Sequence, residues 1–230
     1  MAVLAPGTAP AARGVLGHEL QFAAVVHWRG FPLSDPSTTW CQLASTLALA
    51  DLVALGDFFL TGPNPVHGHP PLATIGQLRT AVRAHCRRRG IRTAKEALDL
   101  VRCGARSRPE SLLRVLMVTS GLPEPELNPS VRMADGRHKQ PDIAYPEIRF
   151  GIEYEGDEHR TDRARFRSDI ERKEAFSDVD WDIMRVTGDH LLRPADLAAR
   201  IHRRIHKRCA ELGITVDAIE SRQSLEMPPR

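Results

Sequence analysis

The fold class of this chain follows from the stretch Pro141–His159, PDIAYPEIRFGIEYEGDEH. Its alternation of apolar and polar residues predicts two β-strands joined by a tight turn. In an extended strand, alternate side chains share a face. The apolar face of the second strand would carry Ile148, Phe150, Ile152 and Tyr154. Its opposite face would carry Arg149, Gly151, Glu153 and Glu155.

Two carboxylates therefore share the polar face of the second strand, and Asp142 on the first strand comes within reach when the hairpin closes. Neighbouring carboxylates repel one another, so each resists ionisation unless a cation neutralises the group. Oxygen ligands suit Mg²⁺ or Mn²⁺, and Mg²⁺ typically takes one or two protein carboxylates together with phosphate oxygens. The pattern predicts a divalent-metal site. The alternative that stays open is that Asp142, Glu153 and Glu155 are solvated surface acids.

The sequence around this hairpin has the order helix, strand, strand, helix, strand, helix, which is typical of the α/β class. The first helix has Pro109 in its first turn and stops at Gly121. Residues 160–178 predict a charged helix, residues 181–187 (WDIMRVT) a buried strand, and residues 194–213 a closing helix.

Two features of this region resemble a known family. Glu153-Tyr154-Glu155, with Glu153 eleven positions after the Asp of Pro141-Asp142, resembles the core motif of the PD-(D/E)XK nucleases. The following EGDEHR (155–160), the charged helix and the closing W-x-I-x-R-V-T resemble a narrower branch, the small bacterial DUF559-type proteins related to very-short-patch repair endonucleases. The resemblance covers residues 107–207 and implies a restriction-endonuclease-like mixed sheet flanked by helices.

The same resemblance implies roles for individual residues. Asp142 and Glu153 would hold Mg²⁺ or Mn²⁺. Glu155 stands where the family motif often has lysine, and it would add a ligand or position the attacking water. His159 would take the proton of that water, for which the ordinary pKa of an imidazole is suitable. A capping or packing role for His159 is the alternative.

Glu110 has two interpretations at the sequence level. It matches the helix acid that completes the metal site in the family. Ser107 and Glu110 also have the spacing of a capping box, with Ser at the N-cap and Glu three residues later. Both roles stay open.

A basic stripe is predicted on the helix expected over residues 72–90. Its arginines recur every four residues, so they would share one helix face and could follow a phosphate backbone. A solvated face whose cations complement the helix dipole is the alternative. Arg172, further along the chain, is expected to be part of a solvated helix face. The candidates for DNA contact are Arg79, Arg83, Arg87 and Arg160.

The composition indicates a folded chain of one large domain or two small ones, with 230 residues, 42% hydrophobic residues and a net charge of +3. Residues 1–105 contain 10 Lys or Arg against 6 Asp or Glu, so the basic excess lies in the N-terminal part. The four cysteines have neither CxxC nor zinc-site spacing, which is typical of reduced intracellular proteins. Without a leader pattern or an apolar run of about 20 residues, we expect a cytoplasmic protein with no membrane partner.

Four regions are expected along the chain. Residues 1–20 would be disordered, residues 21–105 mainly helical after a short strand over 22–28, residues 106–212 nuclease-like, and residues 213–230 a tail. Within the helical region, the apolar pattern predicts two helices broken near Ala50-Asp51. The segment from Arg29 to Leu60 loosely resembles the helical region of abortive-infection antitoxins.

These observations predict a metal-dependent endonuclease that hydrolyses phosphodiester bonds, with DNA as its substrate. Because a fold does not imply a function, a second class stays open. It is a catalytically inactive nuclease-fold module that binds nucleic acid or protein, in a toxin–antitoxin or phage-defence system. A structural domain without any ligand is the third alternative.

Overall fold

The structure is a computed structural model that describes residues 2–4, 6–15, 17–20, 24–63, 68–156 and 171–219. The chain divides into two compact units, Met1–Cys103 and Gly104–Arg230. None of the helices within the described ranges is long and apolar enough to cross a membrane. The mixed arrangement of helices and strands confirms the predicted α/β class.

The first unit is mainly helical, as predicted. Its elements are β1 Ala2–Leu4, β2 His18–Leu20, β3 Val25–Trp28, β4 Phe31–Ser34, α1 Pro36–Leu43, α2 Leu49–Thr61, α3 Ile75–Ala84 and α4 Ile91–Leu100. Strands β1 and β2 pair in parallel, so part of the segment expected to be disordered has regular structure. Strands β3 and β4 form an antiparallel hairpin, and β4 is an addition to the expected elements.

The break between the first two helices lies earlier than the sequence predicts. α1 begins after Asp35, whose side chain accepts hydrogen bonds from the backbone N–H groups of Ser37 and Thr38. It ends at Leu43, and α2 begins at Leu49 rather than near Ala50-Asp51. The Trp40 indole donates to the carbonyl of Leu52 at 2.7 Å in the buried interior, which locks the two helices together. This tertiary contact overrides the local periodicity.

The α3 helix also differs from its prediction, because it ends at Ala84 and not at Gly90. The buried His85 follows as the C-cap, and its Nδ1 contacts the carbonyl of Ala81 at 2.8 Å. Gly90 is instead the N-cap of α4, with a φ of +84°. A Cβ there would lie 2.5 Å from the backbone nitrogen of Ser45, so only glycine fits.

The second unit confirms the predicted order of its main elements. They are α5 Arg108–Thr119, β5 Glu126–Leu127, β6 Val131–Arg132, β7 His138–Lys139, β8 Ile143–Tyr145, β9 Phe150–Glu155, α6 (residues 171–177), β10 Asp182–Thr187, α7 Gly188–Leu191 and α8 Pro194–Leu212. Four strands form a mixed sheet in the order β10-β9-β8-β5, in which β10 runs parallel to β9 and the other pairs are antiparallel. The short strands β5 and β6 add to the expected elements.

The stretch Pro141–His159 supplies the centre of this sheet. β8 and β9 pair with Ile143 opposite Ile152, and the 3-10 turn Pro146–Ile148 joins them. Ile148 therefore lies in the turn rather than in the strand, although its side chain is fully buried. Gly151 faces tight surroundings, since a Cβ would lie 2.8 Å from Ile183 Cδ1.

Apolar side chains cover both faces of the sheet. Helices α5 and α8 cover one face, where the buried cluster includes Leu113, Met117, Ile143, Phe150, Ile152, Met184, Val186, Ile201 and Ile205. Because successive side chains of a strand point to opposite faces, Ile183 belongs to a second cluster with Val131, Met133 and Phe176. Apolar packing on both faces therefore fixes the sheet, and with it the positions of Asp142 and Glu153.

The segment predicted as a C-terminal tail contributes to the core up to its last described residue. Gly213 ends α8 in the left-handed conformation, and residues 216–219 are helical. Ile219 is fully buried, and Ile214 and Val216 pack against the main cluster. The predicted boundary at 212 is therefore wrong for residues 213–219, because their apolar side chains need the core to bury them.

Candidate functional site

Asp142 and Glu153 come together at neighbouring positions of two paired strands. The register that pairs Ile143 with Ile152 places Asp142 directly across from Glu153, one step along the same antiparallel pair. The half-buried Asp142 accepts a hydrogen bond from the backbone N–H of Tyr154 through Oδ2, at 2.8 Å. Strand pairing therefore brings together the two acids that the sequence pattern singles out.

An arginine that the sequence does not single out holds Glu153. Nε and Nη2 of Arg172 lie 2.6 and 2.5 Å from Oε1 of Glu153, whose side chain is only 12% exposed. The same Nη2 donates to the carbonyl of Gln140 at 2.8 Å, and the guanidinium lies over the ring of Phe176. The expectation that Arg172 is part of a solvated helix face is wrong. The sequence does not identify Arg172 as a site residue, because arginine is also common on exposed helix faces.

Glu110 lies near Asp142, and its carboxylate accepts hydrogen bonds at the N-terminus of α5. Its Oε2 accepts from the backbone N–H of Arg106 and from the side chain of Asn128, both at 2.9 Å, and its Oε1 accepts from the Ser107 hydroxyl at 2.8 Å. The backbone N–H of Asn128 donates to the carbonyl of Asp142, so Asn128 joins the two acids. Ser107 is the N-cap and accepts from the Glu110 N–H, as predicted, but the Glu110 carboxylate accepts from the Arg106 N–H rather than from the Ser107 N–H that a capping box uses. A metal-ligand role for Glu110 stays a prediction.

Glu155 lies further along β9 and is bound to a cation of the neighbouring strand. Arg185 on β10 lies opposite Glu153 in the parallel register, and its Nη1 reaches Oε1 of Glu155 at 2.6 Å. The Glu155 side chain is 43% exposed, more than three times as much as that of Glu153. The structure thus places Glu110 and Glu153 each near Asp142 and gives Glu155 a different partner.

Asp142 is largely removed from solvent and lies near two other carboxylates, and both conditions change its pKa. Burial, aided by the nearby carboxylates of Glu110 and Glu153, raises the pKa of Asp142 to about 6. The Tyr154 N–H and the Arg172 guanidinium act in the opposite direction but do not cancel the increase. An added cation beside Asp142 would stabilise its ionised form.

The donor set fits a hard divalent cation through two carboxylate oxygens. Tyr154 occupies Oδ2 of Asp142 and Arg172 occupies Oε1 of Glu153, and within the described ranges no hydrogen bond reaches Oδ1 of Asp142 or Oε2 of Glu153. Anchoring of one oxygen by an outer partner is how proteins orient metal-binding carboxylates. Among the described residues, no three His, Cys, Asp or Glu side chains are grouped to hold an ion by themselves. Water and phosphate oxygens commonly complete the shell of Mg²⁺.

The remaining predicted residues divide into two groups. His159 and Arg160 lie outside the described residues. Arg79 and Arg83 are exposed on α3 in the first unit, and Arg87 lies beyond the end of that helix, so the predicted stripe of three helical arginines is reduced to two. A role of these arginines in DNA binding stays a prediction.

Comparison with known proteins gives two curated relatives, both from Mycobacterium tuberculosis. They are "Uncharacterized protein MT2308" of strain CDC 1551 / Oshkosh and "Uncharacterized protein Rv2248" of strain ATCC 25618 / H37Rv, each 33% identical to this chain over 132 residues. The match covers 57% of this chain and 49% of each relative, so the chain spans about half the length of the curated relatives it matches. No family model and no solved structure matches the chain.

The raised pKa of Asp142 leads to a prediction for stability. Asp142→Asn is expected to raise the free energy of unfolding by about 1–3 kcal/mol near pH 7.5 and to leave it unchanged near pH 4. The pKa of Asp142 is about 6 in the folded wild type, whereas the ordinary value is 3.8. At a pH between these two values, the folded protein still binds a proton that the unfolded chain has released. Wild-type stability therefore falls as the pH rises through this window, and asparagine avoids that loss. Urea unfolding without divalent ions at both pH values measures the difference.

Glu153→Gln is the matched control for this measurement. Carboxylate repulsion alone would predict stabilisation by either substitution, but Arg172 already neutralises Glu153. We expect the Gln variant to lose about 1 kcal/mol, because an ion pair that is partly exposed is screened by solvent. Equal stabilisation by both substitutions would show that the Arg172–Glu153 ion pair does not offset the repulsion between the acids.

Proposed function

We propose that the chain is a metal-dependent endonuclease that hydrolyses phosphodiester bonds in DNA. The observation that carries this proposal is the pairing of Asp142 with Glu153 across β8 and β9, with one oxygen of each acid anchored and the other turned to no donor among the described residues. The raised pKa of Asp142 supports it, since a cation beside this carboxyl group would favour its ionised form.

The order of elements in the second unit supports a PD-(D/E)XK architecture of the DUF559 type. A helix precedes a central hairpin that carries Asp142 and Glu153, and β10 then joins β9 in parallel before α8 closes the core. The acids lie on the sheet face opposite to that of Ile152 and Met184.

In this proposal each residue has a stated task. Mg²⁺ or Mn²⁺, when bound, would supply Lewis-acid polarisation of the scissile phosphate. Asp142 and Glu153 would hold the ion through Oδ1 and Oε2, the oxygens that do not accept from Tyr154 or Arg172. Glu155, held by Arg185, positions the attacking water, and His159 accepts its proton. Glu110 supports Asp142 from the start of α5 and is a further candidate ligand.

A second candidate function is supported by the arginines at the site. Arg172 and Arg185 neutralise Glu153 and Glu155 without any metal ion. A nuclease fold stabilised in this way can serve as a binding module without hydrolysis. Such a module would bind nucleic acid or a protein partner, for example in a toxin–antitoxin or phage-defence system.

A pair of measurements on the full chain separates the two functions. Isothermal titration of the wild type with Mn²⁺ is expected to show one site, and incubation of supercoiled plasmid with Mg²⁺ is expected to produce nicked circles that EDTA prevents. Metal binding without nicking would favour the inactive module. Absence of both would exclude the endonuclease.

A further inference from the structure

The β6–β7 hairpin is basic, and it ends three residues before Asp142. Between Leu127 and Pro141 the sequence has three Arg or Lys residues and one Asp. Arg132 and His138 lie opposite each other in the register, and both are exposed. The side chain of Arg137 is 84% exposed. Arg137 lies opposite Met133 at the turn and pairs with Asp135 at 2.7 Å, and Lys139 lies opposite Val131. The hairpin as a whole therefore has a net positive charge, and its outer face carries Arg132 and His138.

The inner side of the same hairpin is fixed to the protein core. Val131 and Met133 are buried beside Phe176 of α6, so the alternating positions, Arg132 among them, must face outward. The turn is closed by a hydrogen bond from the N–H of Met133 to the carbonyl of Arg137 at 2.8 Å. The basic side chains are thus carried by a rigid element rather than by a loose loop.

The hairpin is also joined to the candidate metal site. Gln140 directly follows β7, its carbonyl accepts from Arg172, and its side chain accepts from Arg106 at 2.8 Å. Arg172 holds Glu153 and lies over Phe176, which packs under the hairpin. The basic surface therefore keeps a defined position relative to the acids of the site. In addition, the Ser130 hydroxyl contacts Nδ1 of His138 at 2.8 Å and orients the ring.

We propose that the exposed arginines of the β6–β7 hairpin, Arg132 and Arg137, bind the phosphate backbone of double-stranded DNA beside the Asp142–Glu153 site. The inference rests on the proposed function, since it names the surface that holds the DNA substrate of that reaction. A two-stranded β-ribbon is narrow enough to enter the major groove of a duplex, and arginine binds phosphate in a bidentate manner. Such contacts supply affinity and position without sequence specificity.

The test is the salt dependence of binding to a fluorescein-labelled duplex, measured by anisotropy in EDTA so that no cleavage occurs. Arg132→Gln combined with Arg137→Gln is expected to reduce the slope of log K against log salt by about 0.9 for each phosphate that is no longer neutralised. Arg132→Lys combined with Arg137→Lys keeps the charges and should retain most of the slope. The matched control, Arg200→Gln combined with Arg203→Gln, removes two exposed arginines from α8 of the same unit and should leave the slope unchanged.

An unchanged slope in the hairpin Gln variant would overturn the inference, as would an equal decrease in the α8 control. Absence of duplex binding by the wild type at any salt concentration would overturn it as well. Plasmid nicking by the wild type in Mg²⁺ then distinguishes the two failures. If the wild type nicks plasmid but the hairpin Gln variant has an unchanged salt slope, the endonuclease proposal is retained and only the proposed DNA-binding surface is rejected. If the wild type does not nick plasmid, the endonuclease proposal itself is rejected.

Discussion

Asp142→Asn is expected to weaken Mn²⁺ binding at least about tenfold and to slow plasmid nicking on the order of 10²–10³-fold, the range typical of removing one charge-stabilising group from an active site. The amide oxygen of asparagine can still accept from the Tyr154 N–H, so the local backbone is retained while one negative charge is removed. Titration calorimetry and a nicking time course measure the two effects.

This substitution separates function from stability, because the metal-free protein should become more stable while activity falls. Asp178→Asn is the matched control, since Asp178 is an exposed acid of the same unit that lies outside the site and outside the β6–β7 hairpin. It should change neither metal affinity nor nicking. Full activity of the Asp142 variant would place the reaction elsewhere in the chain or in a contaminant.

Arg208→Met is expected to lower the free energy of unfolding by about 3 kcal/mol, the largest stability effect predicted for this chain. The Arg208 side chain is 10% exposed, and it donates to the carbonyls of Ile148 and Asp180 and pairs with the Asp180 carboxylate at 2.8 Å. Methionine fills much of the same space but leaves the buried Ile148 carbonyl without this donor. Urea unfolding of the full chain, followed by circular dichroism, measures the decrease.

Arg204→Met provides the comparison on the same helix. Arg204 pairs with Asp182 at 3.0 Å, but its side chain is 39% exposed, so its removal should cost less than about 1 kcal/mol. Similar decreases in the free energy of unfolding for both variants would show that the effect comes from helix propensity or from the net charge of α8, and not from the contacts of Arg208. The difference between them isolates the anchoring of the turn that precedes β9.

The candidate site is predictable to the extent that it depends on one hairpin. Asp142 and Glu153 can be found because strand alternation and a short connection dictate which side chains meet. Glu110 has two possible roles in the sequence, and only the structure shows that its carboxylate accepts from the Arg106 N–H and the Ser107 hydroxyl at the start of α5. The core positions of Ile214, Val216 and Ile219 are not predicted from the sequence. Their segment is too short to show a hydrophobic periodicity, so its sequence does not indicate that it packs against the core.

Local sequence was sufficient for the pairing of β8 with β9, the ends of α5 and α8, and the face on which the acids lie. These features follow from backbone geometry and from capping residues within a few positions of each other. The partner of each charge, in contrast, required the packed structure. Arg172 reaches Glu153 across 19 positions, and Arg208 reaches Ile148 across 60. Periodicity cannot predict such contacts, because they depend on how separate elements pack, and burial then determines which charges need a partner.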